Sequence, residues 1–322
     1  MPRIFCIAFV AIGLLSCTSD DNEMDVLTPE SFPEFVNGTL DHQNRVREYV
    51  LHIPETYQGS SEVPLVIFLH GGGGNAQSAQ GFTNFNLASE ENGFLVAYPQ
   101  GFHEAAPNSF VWADGRGLPP DDLGIDDVGF INALVDELVL QYAIDERKVY
   151  LCGFSNGSFL TQRIAFEDNA RFAAMGTLGG TMNEEFLTGG GPGRPIPMIY
   201  VFGTDDGLVP YDGGFVSDNE ELESVIGVEA AVDYWVQNNE CATALTAVDL
   251  PDLNTNDNSI ITVFEYTDCA CSNAQVMFYR VEGAGHTWPG VVVPNANLGN
   301  TNLDVQASRE LWAFFDRFEL CF

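Results

Sequence analysis

The run Pro64-Leu65-Val66-Ile67-Phe68-Leu69 is apolar at every position, the pattern of a strand covered on both faces of its sheet. Before it, Val46-x-x-Tyr49-Val50-Leu51-x-Ile53 also reads as a strand. A helix is predicted from about Ser78 to Asn92, stopped by Gly93, and the strand Phe94-Leu95-Val96-Ala97-Tyr98 follows. Beyond a Pro-, Gly- and Asp-rich loop over 99–125, Val128, Ile131, Leu134, Val135 and Leu138 recur at helical spacing, with Asp126 or Asp127 placed to cap the first turn. Then come a strand at 147–152, a Gly-bounded turn, a helix to about Asn169, strands near 172–178 and 196–202, a helix near 223–238 and a closing helix near 303–319. This alternation predicts an α/β fold with a mostly parallel sheet and helices on both faces. The exception is 241–281, where the β-rich runs Ile260 to Tyr266 and Gln275 to Val281 accompany a cysteine cluster. A β-rich insert in the form of a disulfide-stapled hairpin is predicted there.

The start of the chain has a different pattern. Arg3 precedes a twelve-residue apolar run, Ile4 to Leu15, shorter than the roughly 20 residues of a membrane span. It ends at Leu14-Leu15-Ser16-Cys17, which resembles a bacterial lipoprotein cleavage box. Residues 1–16 are therefore read as a signal peptide, Cys17 as the lipidated first residue of the mature chain, 17–40 as an acidic tether and 41–322 as the folded domain. Such a protein is exported to an oxidising compartment, on the outer membrane or beyond it.

Charge narrows the partners. Twelve Lys and Arg against 46 Asp and Glu give −34, with Lys148 the sole lysine, and loss of Arg3 with the signal gives −35. So acidic a surface repels phosphate backbones and anionic lipid, which excludes nucleic acid and leaves the N-terminal lipid as the only membrane contact. Of seven cysteines, Cys6 leaves with the signal and Cys17 carries lipid. Cys152 sits in an apolar run and is read as buried and free. Cys241, Cys269, Cys271 and Cys321 remain, with three possible pairings. Cys269-x-Cys271 lacks zinc spacing and the acidic loop 114–127 lacks a calcium-loop frame, so no metal is expected.

The candidate chemistry lies at Gly153-Phe154-Ser155-Asn156-Gly157, a G-x-S-x-G between a predicted strand and a predicted helix. That context suits a nucleophilic Ser155. Of five histidines, His286 stands on a loop after the last strand and before the closing helix, where its base belongs. Asp206, in Gly203-Thr204-Asp205-Asp206-Gly207-Leu208-Val209-Pro210, is favoured as the acid that orients the imidazole, with Asp205 the alternative. The order Ser155, Asp206, His286 is that of α/β-hydrolases. His70-Gly71-Gly72-Gly73-Gly74 follows the buried strand, so the N–H of Gly72 or Gly73, with that of Asn156, is expected to form an oxyanion hole. His70 itself is expected to pack beneath the loop. Phe110, Trp112 and Trp288 are candidate substrate-binding aromatics.

These stretches, with Tyr98-Pro99-Gln100-Gly101, Asp126-Asp127-Val128-Gly129-Phe130 and Gly285-His286-Thr287-Trp288-Pro289-Gly290, resemble the secreted α/β-hydrolase esterases that include polyhydroxybutyrate depolymerases and feruloyl or acetylxylan esterases. The likeness spans about residues 45–318. It implies an α/β-hydrolase fold and cofactor-free hydrolysis of carboxylic esters through an acyl-enzyme. It implies a polymeric substrate, either feruloyl and acetyl esters of polysaccharide or hydroxyalkanoate-type polyesters. It also implies a bridge from Cys241 to Cys269 or Cys271. A serine peptidase of the same fold and a catalytically silent glycan-binding lipoprotein share parts of the pattern; the complete triad argues against the second.

Overall fold

The computed structural model describes residues 32–320 apart from 189–190, 192–193, 243–244, 270–273 and 293–294. The expected signal peptide, the lipidation site Cys17, and Cys271 and Cys321 lie outside the described residues. The first half of the described chain contains β1 (Phe35–His42), β2 (Arg45–His52), β3 (Val63–Leu69), α1 (Ala76–Thr83), α2 (Phe85–Asn92), β4 (Leu95–Pro99), β5 (His103–Ala106), β6 (Ser109–Val111), α3 (Pro119–Asp122) and α4 (Asp127–Gln141). Then follow β7 (Ile144–Phe154), α5 (Asn156–Glu167), β8 (Ala174–Leu178), β9 (Met198–Gly203), β10 (Gly213–Gly214), β11 (Val225–Ile226), α6 (Val228–Asn238), β12 (Leu245–Asp249), β13 (Ile260–Tyr266), β14 (Val276–Glu282) and α7 (Ala307–Phe315).

Among the described residues a ten-stranded sheet runs in the order β1-β2-β4-β3-β7-β8-β9-β14-β13-β12. From β4 to β14 neighbouring strands are parallel, and an antiparallel pair extends each edge. The period-two alternation of the strands sorts their side chains into two cores. Leu65, Ile67, Leu69, Val149 and Leu151 face α4, α5 and α6, whereas Val66, Phe68, Tyr150 and Cys152 face α1, α2 and α7. Because helices cover both faces, the central strands need no polar side, which is why they read as continuous apolar runs. The catalytic candidates sit at the carboxyl ends of these parallel strands, after β3, β7, β9 and β14, on loops or, for Asn156, at the first residue of α5.

Several expectations are corrected. Residues 35–40, assigned to the tether, form most of β1, paired with β2 in the register Phe35 to His52. The helix expected over 78–92 is two helices, because Asn84 between them is left-handed (φ 60°) and its side chain bonds Gln306. Asn75 caps the first, its Oδ1 accepting the Ser78 N–H at 2.7 Å. The helix expected from 223 begins at Val228: the Glu223 N–H is taken by the Arg116 carbonyl, the Ser224 carbonyl by the Glu184 N–H, and Val225–Ile226 pair with Gly213–Gly214. The stapled insert is no appendage, since β14 pairs in parallel with β9 and is part of the main sheet. The Cys241–Cys269 disulfide spans 28 residues and brackets β12 and β13. Cys152 is free and buried, and burial raises its thiol pKa well above the ordinary value.

Candidate active site

Ser155 occupies the turn between β7 and α5 with φ 54° and ψ −120°, a conformation that costs a non-glycine residue about 1–3 kcal/mol. Its surroundings hold it there. The Ser155 N–H donates to the Leu178 carbonyl at 2.8 Å, and its carbonyl accepts from Ser158 and Phe159 N–H to start α5. Glycine is required on both sides: a Cβ on Gly153 would lie 2.3 Å from the Gly157 backbone, and one on Gly157 would lie 2.3 Å from the Leu69 carbonyl oxygen. The Ser155 side chain makes no capping bond to α5. The residue is partly exposed and stands at the positive end of that helix.

His286 is buried, and its Nδ1 lies 2.7 Å from Oδ2 of Asp206, whose other oxygen accepts the N–H groups of Leu208 and Val209 at 2.8 Å each. With Nδ1–H donating to this carboxylate, the imidazole is held in the tautomer whose lone pair is on Nε2. Asp205 is exposed and bonds Thr204 instead. The His286 ring packs on Phe154, the residue before Ser155, with centroids 4.9 Å apart. Gly179 borders the same imidazole, and Gly180 borders the Ser155 carbonyl. The elbow, the acid loop and the histidine loop therefore converge on one spot.

The Gly-rich loop forms the opposite wall. Gly72 abuts the elbow: a Cβ there would meet Asn156 Cβ at 3.4 Å. Gly73 is corrected as a donor, because its N–H is held by the Phe110 carbonyl at 2.9 Å; Gly72 and Asn156 remain the candidates. His70 packs below the loop as expected. Its Nδ1–H donates to the Gly71 carbonyl (2.9 Å) and its Nε2 accepts the Gly101 N–H (3.0 Å). Burial lowers its pKa to about 4, so the ring is neutral at physiological pH.

Two of the three candidate cleft aromatics are corrected. Trp112 and Trp288 are fully buried. The Trp112 indole N–H donates to the His70 carbonyl at 2.9 Å, and Trp288 packs edge-on against Phe68, Phe82, Phe85 and Phe154. Both support the site from beneath. Phe110 is half-buried on β6, and its backbone pairs with Gly74. The sequence reading missed a buried polar cluster behind the elbow. Asp114 accepts from Asn156 Nδ2 at 2.6 Å and from Arg116 Nη2 at 2.6 Å, and the Arg116 guanidinium lies 3.8 Å from the Phe159 ring centre.

Comparisons with known proteins give the family and the fold. A family model described as Esterase PHB depolymerase matches residues 47–188. NocK of Nocardia uniformis subsp. tsuyamanensis, named as an esterase, is 30% identical over 262 residues, covering 78% of this chain and 73% of that protein. Feruloyl esterase C of Emericella nidulans is 29% identical over 212 residues, covering 62% of this chain and 71% of that one. Among solved structures, the acetyl xylan esterase from Aspergillus awamori superposes with a TM-score of 0.57 at 15% identity, over 88% of this chain and 100% of that chain, which is a likeness of fold.

Proposed function

The chain belongs to the esterase PHB depolymerase family and is a carboxylic ester hydrolase; from that premise we propose that Ser155, His286 and Asp206 are its catalytic triad and Gly72 and Asn156 its oxyanion donors. The carrying observation is the 2.7 Å contact of His286 Nδ1 with Asp206, beside a serine held at φ 54°. In this reading Ser155 Oγ attacks the ester carbonyl carbon as His286 Nε2 takes its proton. The carbonyl oxygen becomes an anion facing the two N–H groups. Collapse breaks the bond to the alcohol, which leaves with the proton from His286, and an acyl-Ser155 remains. Water, deprotonated by the same imidazole, releases the acid and restores the serine.

For the substrate we infer feruloyl or acetyl esters on a polysaccharide, a reading supported by what the relatives' names say of those proteins. Hydroxyalkanoate polyester is the second reading, supported by the family's description. The Ser16-Cys17 box and the Cys241–Cys269 disulfide support an extracytoplasmic, lipid-anchored enzyme. No helix among the described residues is long and apolar enough to cross a membrane. A panel of p-nitrophenyl acetate, p-nitrophenyl butyrate, methyl ferulate, acetylated xylan and a hydroxybutyrate oligomer, run on the wild type and Ser155→Ala, tests both parts. Feruloyl or acetyl ester turnover that vanishes in the variant is expected. Turnover of the hydroxybutyrate oligomer alone would move the substrate assignment to the polyester.

A further inference from the structure

An oxyanion hole works only if its two donors keep a fixed separation, and here they come from different segments: Gly72 from the loop after β3 and Asn156 from the start of α5. One short segment touches both. Trp112 donates its indole N–H to the carbonyl of His70, two residues before Gly72, at 2.9 Å. The same residue's backbone N–H donates to Asn156 Oδ1 at 2.8 Å. Two residues on, Asp114 takes the other end of the Asn156 carboxamide, accepting from Nδ2 at 2.6 Å. Asp114 is fully buried, and its charge is matched by Arg116 through Nη2 (2.6 Å) and Nε (3.0 Å). The 114 carbonyl is bonded in turn by Asn183 Nδ2 at 3.2 Å.

We propose that Asp114 is a positioning residue for ester hydrolysis: by clamping the Asn156 side chain against the Trp112–Asp114 segment it sets the direction of the Asn156 N–H and its spacing from Gly72. A carboxylate suits this better than an amide. It accepts a charge-assisted bond from Nδ2, and so it fixes which end of the Asn156 carboxamide faces Trp112. The buried charge pair is otherwise a weak source of stability, and it stands 42 residues from the side chain it holds. This inference rests on the reading of Asn156 as an oxyanion donor.

The test uses the purified enzyme, p-nitrophenyl acetate and an alkylboronic acid, which adds to the serine as a tetrahedral anion. Asn156→Ala leaves Asp114 and Arg116 paired and keeps the backbone N–H but frees its direction, and is expected to lower kcat by at least about 10-fold, toward the roughly 100-fold scale of losing an oxyanion donor outright. KM should stay within about threefold, while boronate affinity falls in parallel with kcat. Asp114→Leu with Arg116→Met, which removes both buried charges together, should give the same pattern. Combining all three changes should cost no more than either set alone, because both act through one group. Asp114→Asn keeps an acceptor and should stay within about fivefold of wild type. Losses that multiply in the triple variant, or a folded Asp114→Leu/Arg116→Met enzyme with wild-type kcat, would overturn the proposal. Should the paired variant not fold, Asn156→Ala decides alone, and a kcat within threefold of wild type refutes it. Activity retained by Ser155→Ala would instead strike the underlying reading of the site.

Discussion

The loop after β3 and the loop after β14 each carry a buried histidine against the Ser155 elbow, yet the two rings have opposite chemistry. His286 gives its Nδ1 to a carboxylate, so a proton gained at Nε2 is compensated within the site. His70 gives its Nδ1 to a carbonyl and fills its Nε2 with a backbone N–H, so a second proton would have to displace a bond and find no counter-charge. Burial is shared and does not discriminate. What separates a base from a brace is whether the partner is charged and whether one nitrogen is left open.

That contrast can be broken most directly by activity. His286→Ala is expected to abolish ester hydrolysis on the scale of Ser155→Ala, roughly 10⁶-fold in kcat for groups acting as a unit. His70→Gln, which can replace one donor and one acceptor, should stay within about tenfold of wild type. Comparable losses in the two histidine variants would erase the distinction. The next effect sharpens the role of the partner: Asp206→Asn should cost about 10⁴-fold in kcat by favouring the wrong tautomer, whereas Asp205→Asn, on an exposed carboxylate, should stay within about twofold. A strong loss at Asp205 would reassign the acid.

The smallest effect is on stability. His70 has a folded pKa of about 4 against an ordinary 6.5, so between these values the unfolded chain binds a proton that the folded one does not. Its contribution is complete above pH 6.5 and is lost as pH falls toward 4, on the order of 3 kcal/mol at 1.36 kcal/mol per pKa unit. Urea unfolding of wild type and His70→Gln across this range should show the wild type losing stability faster on acidification. Parallel curves would mean that the ring titrates freely in the folded state.

Ser155 was legible because the backbone around it restricts residue choice: a turn at positive φ needs small neighbours, and Gly153 and Gly157 record it, while His286 and Asp206 were read from their places after the strands that precede them. Asp114 left no such trace, since a polar residue in a Pro/Gly/Asp-rich loop reads as solvated until the fold carries it to Asn156. Trp112 and Trp288 were misread for a related reason: an aromatic beside a motif has the same sequence signature whether it lines a cleft or supports it. In β1 the alternation is only half-buried and is broken by Gly38, which lies opposite Tyr49 and leaves room for that ring. The break at Asn84 depends on Gln306, 222 residues away, and no local period reports it.

Gly179 has a consequence for how this molecule tolerates change. It adopts φ 56°, and a Cβ there would stand 3.1 Å from His286 Cε1 and 3.2 Å from Nδ1. Any side chain would press on the imidazole through a backbone already unfavourable for it. A saturation library selected for activity would therefore score position 179 alongside the serine and the histidine, although glycine brings no reactive group. Intolerance at that site would measure the room an imidazole needs.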